Sequence, residues 1–448
     1  MTDSGNKQRP LRKLTVDNFS VIKHAELEFG KITVLIGPQA SGKSLLCKLA
    51  YFLSKEVLED ALIAIVSQSP SFPTPFDEFK TSLRRDFLAW FPFETWQIED
   101  SRVTFESLAY RVQISATKPS GDLEIVFSPE FEALFSRLAE MFRTPASGAE
   151  PRRLITEQVR AQLYLLLAGT FVDRPVYIPD GRAFFANQSL GFNLVNNPDI
   201  DPILKEFSLE VSWAGARSPD PILGEEGVRV LYEVSREIVR IAGGRIEGRN
   251  GSARFIRTLD GKSIPLPLLS SGTQAMLPML NVLWQMITEQ RGRILFPRPD
   301  NLPGMPNKII ESKGLVYLEE PEANIFPSTQ YELIRLFAWL SQEWRLDFSW
   351  VITTHSPYTL SSFNNLIYAG QLASQRPELK DEIARMVPER YWIEDGSFRA
   401  YSIHDGLLKP ILSESGLIDG EYLDCVSDTI GNEFDSLLRL EYDHTKAS

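Results

Sequence analysis

Gly37-Pro38-Gln39-Ala40-Ser41-Gly42-Lys43-Ser44 spells G-x-x-x-x-G-K-S, and its flanks decide the fold. Ahead of it, Lys31 to Ile36 is a β-branched, apolar run suited to a buried parallel strand. Behind it, Leu45 to Leu53 carries apolar residues at helical spacing. Strand, glycine loop and helix in this order read as a phosphate cradle. Gly37 and Gly42 let the backbone of Pro38, Gln39, Ala40 and Ser41 wrap closely enough for N–H groups to face phosphate oxygens. Lys43 adds a mobile positive charge, and the Ser44 hydroxyl is a hard ligand for Mg²⁺. The expectation is a chain that binds a nucleoside triphosphate with Mg²⁺.

The chain has 448 residues, of which 43% are hydrophobic, 24% charged and 11% aromatic, the balance of a soluble globular protein. No apolar run approaches the roughly 20 residues that span a bilayer, so no membrane partner is expected. The polar stretch Met1 to Lys13 lacks an apolar signal region and reads as a leader. Two cysteines and four histidines cannot build a disulfide framework or a zinc site, which suits a reducing cytoplasm. A net charge of −12 argues against a general attraction to nucleic acid. The charge is uneven, however. Glu414 to Asp443 holds nine acids and one arginine, whereas Arg245 to Lys262 holds five basic residues and two acids.

Alternation over Leu14 to Phe29 predicts two antiparallel strands before the buried one. Residues 45–65 predict a helix, broken by Pro70, Pro73 and Pro75. A hairpin is expected from Tyr110–Ser115 and Leu123–Phe127, with helices over Phe131–Phe142 and Leu154–Ala168. Val176–Ile178 reads as a short strand, Gly227–Ile241 as an amphipathic helix, and Gly243–Leu268 as β-ribbons around Asn250-Gly251 and Asp260-Gly261.

Three further segments carry chemistry. Gly314 to Leu318 is an apolar strand that ends in Glu319 and Glu320, two carboxylates that are costly there unless a cation or hydrogen bonds compensate. A phosphate-loop enzyme needs one acid beside Mg²⁺ and a second for the attacking water. Val351 to Thr354 is a β-branched strand that ends at His355, a helix length beyond the acids, as expected when the next parallel strand returns beside them. Leu269 to Gln274 is a Ser/Gly turn opening a helix, a natural anion site through its free N–H groups.

Together, in this order, these pieces resemble the ATP-binding-cassette superfamily, in its SMC/RecF/OLD-like branch. The resemblance covers most of residues 12–370 and implies an α/β fold: a P-loop head whose core sheet contains parallel strands, with an antiparallel β subdomain, a helical lobe and no long coiled coil. It implies a Walker A motif at Gly37–Ser44, and Walker B at Leu315–Glu320 with Glu319 as metal ligand and Glu320 as catalytic base. His355 matches the switch histidine, and Pro321–Pro327 is similar to the dimer-facing D-loop. Ser270, Ser271 and Gly272 resemble the signature turn that closes over ATP held by a second protomer, which implies a homodimer or higher homo-oligomer with ATP sandwiched between copies. The implied organisation is a flexible leader (1–11), an N-lobe (12–180), a helical insertion lobe (181–254), a C-lobe (255–410) and an acidic C-terminal segment (411–448).

The sequence departs from the pattern in places. Glu319 stands where Asp is usual, Ser271 where the signature has its first Gly, and Phe326 where His is frequent. No Q-loop glutamine is evident; Asp180 falls near that place and Arg182 follows, either to touch phosphate or to hold the loop. No heptad arm suggests a tether. No D-x-D pair follows His355, so no nuclease site is expected in this chain. What remains resembles the stand-alone, AAA-type ATPase subunits of bacterial anti-phage systems of the PARIS and Septu type, in which a separate polypeptide is the nuclease or toxin effector. DNA or a phage protein is the candidate trigger. Alternatives are a RecF-like repair ATPase that binds DNA through Arg245, Arg249, Arg254 and Arg257, and a non-hydrolysing ATP-gated scaffold.

Overall fold

The strand that delivers the chain to Gly37 is short and wholly apolar but for Thr33, and it is buried by parallel neighbours on both sides. In the computed structural model, which describes residues 12–67, 71–95, 100–107, 110–116, 123–142, 159, 174–186, 197, 200–214, 225–249, 253–292, 314–343 and 346–419, it is β3 (Ile32–Ile36). Its parallel partners are β12 (Ser349–Thr354) and β13 (Phe398–His404), with Ile32 in register with both Trp350 and Phe398. Beyond β12 lie β11 (Gly314–Glu319) and β7 (Arg174–Ile178), again parallel.

On the other side β14 (Leu407–Pro410) pairs antiparallel with β13 and parallel with β2 (Ile22–Glu28), and the pairs beyond β2 are antiparallel. From β2 the sheet runs to β1 (Arg12–Phe19), and then to β4 (Arg102–Ser107), β5 (Arg111–Ala116) and β6 (Leu123–Phe127). The full order is β6-β5-β4-β1-β2-β14-β13-β3-β12-β11-β7, eleven strands drawn from both 12–180 and 255–410. A separate three-stranded sheet holds β8 (Gly244–Arg249), β9 (Ala253–Thr258) and β10 (Ser263–Pro265).

Strand periodicity divides the core in two. Leu35, Tyr177, Leu315, Tyr317, Val351 and Ile403 belong to the apolar layer beneath α1 (Lys43–Ser67), α2 (Pro75–Trp90) and α3 (Pro129–Met141). Their neighbours Ile32, Val34, Val176, Ile178, Val316, Leu318, Trp350 and Ile352 face the opposite layer. That layer is built by α4 (Pro202–Ala214), α5 (Glu225–Ala242), α6 (Ser271–Gly292), α7 (Pro327–Gln342) and α8 (Pro357–Gln375). The Pro-rich interruption becomes a helix start: Thr74 Oγ1 accepts from Asp77 N, and Pro75 stands where a helix needs no N–H donor. Phe19, Phe52, Phe79, Phe87 and Phe131 are almost fully buried in the first layer, each worth about 2–3 kcal/mol of transfer free energy.

The two early strands, the hairpin and the helices over 45–65, 131–142 and 227–241 stand where the residue patterns place them. Leu266–Leu268 is a 3₁₀ turn and not the end of a ribbon. The leader, nearly all of the helix expected over Leu154–Ala168, the Asn250-Gly251 turn and the acidic stretch beyond residue 419 lie outside the described residues. Among the described residues no helix is long and apolar enough to cross a membrane.

Candidate nucleotide and catalytic site

At the carboxyl end of β3 the loop Gly37–Ser44 leaves no room for side chains at its glycines. A Cβ on Gly37 would meet Ile403 O at 2.4 Å, and one on Gly42, where φ is +105°, would meet Ile22 Cδ1 at 2.4 Å. Ala40 adopts a φ of 57°, a left-handed conformation that a non-glycine residue holds at a cost. Ser41 Oγ is buried without a hydrogen-bond partner. Lys43, 5% exposed, folds back over the loop and donates from Nζ to Gly37 O and Pro38 O, both at 2.7 Å. Burial lowers its pKa, and the charges of Glu320 and Glu322 push it back up. A backbone cradle that a Cβ would fill, an orphan hydroxyl and a buried ammonium fit a polyphosphate. Ser44 is exposed in the first turn of α1.

The paired acids end β11. Glu319 is buried, and its two carboxylate oxygens accept separately, Oε1 from Tyr177 OH at 2.7 Å and Oε2 from Asp180 N at 3.3 Å. Those bonds hold the carboxylate from one side and leave lone pairs on both oxygens, so Glu319 and Ser44 together fit a hard cation that takes oxygen donors. The same tyrosine packs edge-on to Tyr51 of α1, with centroids 5.3 Å apart, and stacks on Tyr317 of β11. Tyr317 in turn donates to Ala50 O of α1 at 3.1 Å. An aromatic block thereby ties the helix after the glycine loop to the strand carrying the acids. Tyr177 was legible only as a strand residue; its hydroxyl contact crosses between two strands and leaves no sequence signal.

Glu320 has a φ of 42°, a strained conformation for glutamate that turns its side chain out of the strand direction. Its N–H donates to Thr353 O at 2.9 Å, and its Oε1 lies 3.0 Å from His355 Nε2. Burial raises the Glu320 pKa, with Glu322 and Asp180 adding to the rise and His355 and Lys43 opposing it. His355 is aimed by Glu322, whose Oε1 accepts from His355 N at 2.7 Å and from Thr354 Oγ1 at 2.6 Å. Ser356, the N-cap of α8, donates to Gln330 Oε1 at 2.7 Å, and Gln330 donates to Ile325 O at 2.9 Å. The loops after β11 and β12 are therefore pinned to each other, and Glu322 and Gln330 join the residues that matter there.

Arg182 holds the loop. Its side chain is 0% exposed and finds no carboxylate; it binds four backbone carbonyls instead. Nε donates to Ala275 O at 3.0 Å, Nη1 to Pro179 O at 3.1 Å and Glu319 O at 2.7 Å, and Nη2 to Glu320 O at 2.8 Å. Burial lowers its pKa to about 10, so it stays charged near neutrality. Arg182→Met would strand those carbonyls in the interior. The expected loss of folding stability is about 3–5 kcal/mol, to be read by urea unfolding of the full chain; a loss below about 1 kcal/mol would show that the carbonyls find other donors.

Ser270 and Ser271 are exposed, and Ser271 begins α6, so the turn is the first turn of a helix. Ser270 Oγ accepts from Thr273 N at 3.3 Å. A Cβ on Gly272 would meet Asn324 O at 2.4 Å, so the signature-like turn rests on the segment that follows Glu320. The near neighbours of Gly272 are thus Asn324 and Ile325, not the Gly37–Ser44 loop.

An α/β head with a glycine loop, two acids and a histidine at the carboxyl ends of adjacent parallel strands has the layout of a P-loop nucleotide-binding protein. A family model described as an AAA ATPase domain matches residues 199–360, which hold Ser270–Gly272, Glu319, Glu320 and His355. That match supports an ATPase class. Among solved structures, the SMC head domain from Thermotoga maritima is similar at 12% identity, with a TM-score of 0.35, covering 91% of this chain and 100% of that one. An Smc head domain with an extended coiled coil, bound to the C-terminal domain of ScpA from Pyrococcus furiosus, is similar at 12% identity and a TM-score of 0.34, covering 89% and 95%. An ATP-binding cassette of an ABC transporter in its ADP conformation is similar at 12% identity and a TM-score of 0.33, covering 90% and 92%. No curated protein matches the chain.

Proposed function

We propose that this chain is an ATPase that clamps ATP between two of its copies and uses the nucleotide state to hold or release a separate effector protein, a nuclease or toxin, in defence against phage. The observation that carries the ATPase reading is the convergence, at the carboxyl ends of the parallel strands, of Lys43, the Glu319–Glu320 pair and His355, with Glu320 held 3.0 Å from His355 Nε2. In this reading the loop N–H groups and Lys43 take the phosphates, and Glu320 accepts the proton of the attacking water. His355 orients the Glu320 carboxylate and donates toward charge that develops on the transferred phosphoryl group. Mg²⁺, held by Ser44 and Glu319, would neutralise phosphate charge when bound.

The two-copy clamp is supported by what surrounds the signature-like turn. Ser270 and Ser271 are exposed, and Leu268 and Phe326, each 75% exposed, flank them on the two segments that meet at Gly272. Large apolar side chains beside an open helix N-terminus suit a face that a second copy covers. Ser271→Trp should block ATP-dependent dimerisation, read by analytical ultracentrifugation, while one chain still binds ATP with unchanged affinity. Equal loss of both would count against the clamp. The effector is sought by affinity purification of the native complex and mass spectrometry; a chain recovered alone in both nucleotide states would count against the regulatory role.

A second reading, direct DNA binding, is favoured by one observation. Arg245 and Arg257 are exposed and face each other in register across β8 and β9, which places two basic residues on one face of the small sheet. Arg249 and Arg254 belong to the same strands, and their side chains lie outside the described residues. This reading requires duplex binding that weakens steeply with salt and is lost in the Arg245→Glu, Arg257→Glu double variant.

A further inference from the structure

Far from the glycine loop, α1 carries Glu56 and Asp60 one turn apart, so both carboxyls lie on one helix face. α2 packs against that face and brings up Asp86. One carboxylate oxygen from each of the three lies within 4.8 Å of the others, the one such group of potential metal ligands among the described residues. Glu56 is 13 residues beyond Lys43 in the same helix, which places the cluster about 20–25 Å along the axis from the phosphate cradle.

Asp60 decides what the cluster is for. It is 5% exposed, and its Oδ2 is buried with no hydrogen-bond donor. The nearby cations pair with the other two acids and, among the described residues, leave Asp60 unbridged: Lys55 Nζ lies 3.2 Å from Glu56 Oε1, as well as 2.5 Å from Glu206 Oε2 and 3.6 Å from Glu59 Oε2. Arg85 spends its guanidinium on Asp86, at 2.8 Å and 3.2 Å. Three acids, one of them buried and unpartnered, are costly to hold together. We propose that Glu56, Asp60 and Asp86 form a binding site for a hard divalent cation (Mg²⁺, Mn²⁺ or Ca²⁺) that fastens α1 to α2. An all-oxygen, all-carboxylate donor set selects such ions over Zn²⁺ or Cu²⁺. Two donors on one ion lie at most about 5.2 Å apart for Ca²⁺ and about 4.2 Å for Mg²⁺, and the three oxygens, all within 4.8 Å of one another, meet the first limit.

Protons compete for the same oxygens. Burial raises the Asp60 pKa to about 7, with Asp86 and Glu59 adding to the rise and Arg85 and Lys55 opposing it. Burial also raises the Glu56 pKa, which Lys55 opposes and Glu206 and Glu59 reinforce. Both folded-state values lie above the unfolded ones, so without cation these acids favour the folded state at low pH. That contribution is lost as pH rises through the folded values.

The test is Mn²⁺ titration of the nucleotide-free full chain, with free Mn²⁺ read by electron paramagnetic resonance. One bound ion is expected at pH 8, and it is retained in Ser44→Ala. Asp60→Asn should abolish it and, in the absence of cation at pH 8, should melt no lower than the parent chain. Asp86→Asn, on a side chain 28% exposed, should weaken binding at least about tenfold and keeps the test decisive should Asp60→Asn not fold. Binding that survives these two substitutions, disappears in Ser44→Ala, or is absent from the parent chain would overturn the site and leave a carboxyl pair that shares a proton.

Discussion

Lys43→Ala should weaken ATP binding by at least about 100-fold, some 2.7 kcal/mol, while the melting temperature barely changes. The size follows from the environment of the ammonium. Among the described residues, Lys43 Nζ donates to the Gly37 and Pro38 carbonyls, and burial lowers its pKa. Its charge is therefore poorly solvated, and a phosphate oxygen exchanges those neutral acceptors for a charge-assisted bond of roughly twice the strength. Ala removes the charge but leaves the glycines, the orphan Ser41 hydroxyl and the backbone arch in place. The two carbonyls released at 37 and 38 lie on a half-exposed loop where water reaches them, so folding is not the casualty. Fluorescence titration with a labelled ATP analogue measures it; unaltered affinity would remove the loop from the nucleotide site altogether.

Glu320→Gln is the second. Turnover should fall by about 10²–10⁴, the usual worth of a positioned general base, with ATP affinity kept and the ATP-bound dimer long-lived. The substitution keeps the side-chain length, the backbone bond from Glu320 N to Thr353 O and a hydrogen bond toward His355, so the effect is read on chemistry. pH adds a check. Burial and the acids Glu322 and Asp180 raise the Glu320 pKa, so a larger share of the parent chain is protonated in mildly acidic solution than for an ordinary glutamate. The rate should climb with pH as that proton leaves, and the Gln variant should lose this limb of the profile. Phosphate release measured across pH 5 to 8 in both chains decides it: unchanged turnover removes Glu320 as the base, and a limb that survives in Gln assigns it to another group.

The parallel core and its glycine loop were legible because each piece has a short-range pattern. β3 is an apolar, β-branched run that leads straight into the glycine loop, β12 is a β-branched run with polar ends, and α1 follows the glycines at once. Glu319, Glu320 and His355 were legible as strand ends, and the spacing of one helix between them foretold that β11 and β12 would be neighbours. Arg182 was not. Its four acceptors are backbone atoms from 179, 275, 319 and 320, a convergence that no window of sequence contains. Glu322 stood inside a motif that had been read for its flanking residues, and its hold on His355 needs the two loops to be packed together. The cation cluster shows the same divide: Glu56 and Asp60 are a visible helical pair, but Asp86 reaches them only through helix packing.

Arg182 also has a mechanical meaning. One rigid, planar group joins the first turns of α6 to the two peptide carbonyls that bracket the acid pair. A tilt of α6, such as docking against its open end would cause, cannot be absorbed by a soft side chain between them and reaches the backbone of residues 319 and 320 directly. In the proposed clamp, a second copy pressing on that end would therefore bear on the backbone that sets where the Glu320 carboxylate points.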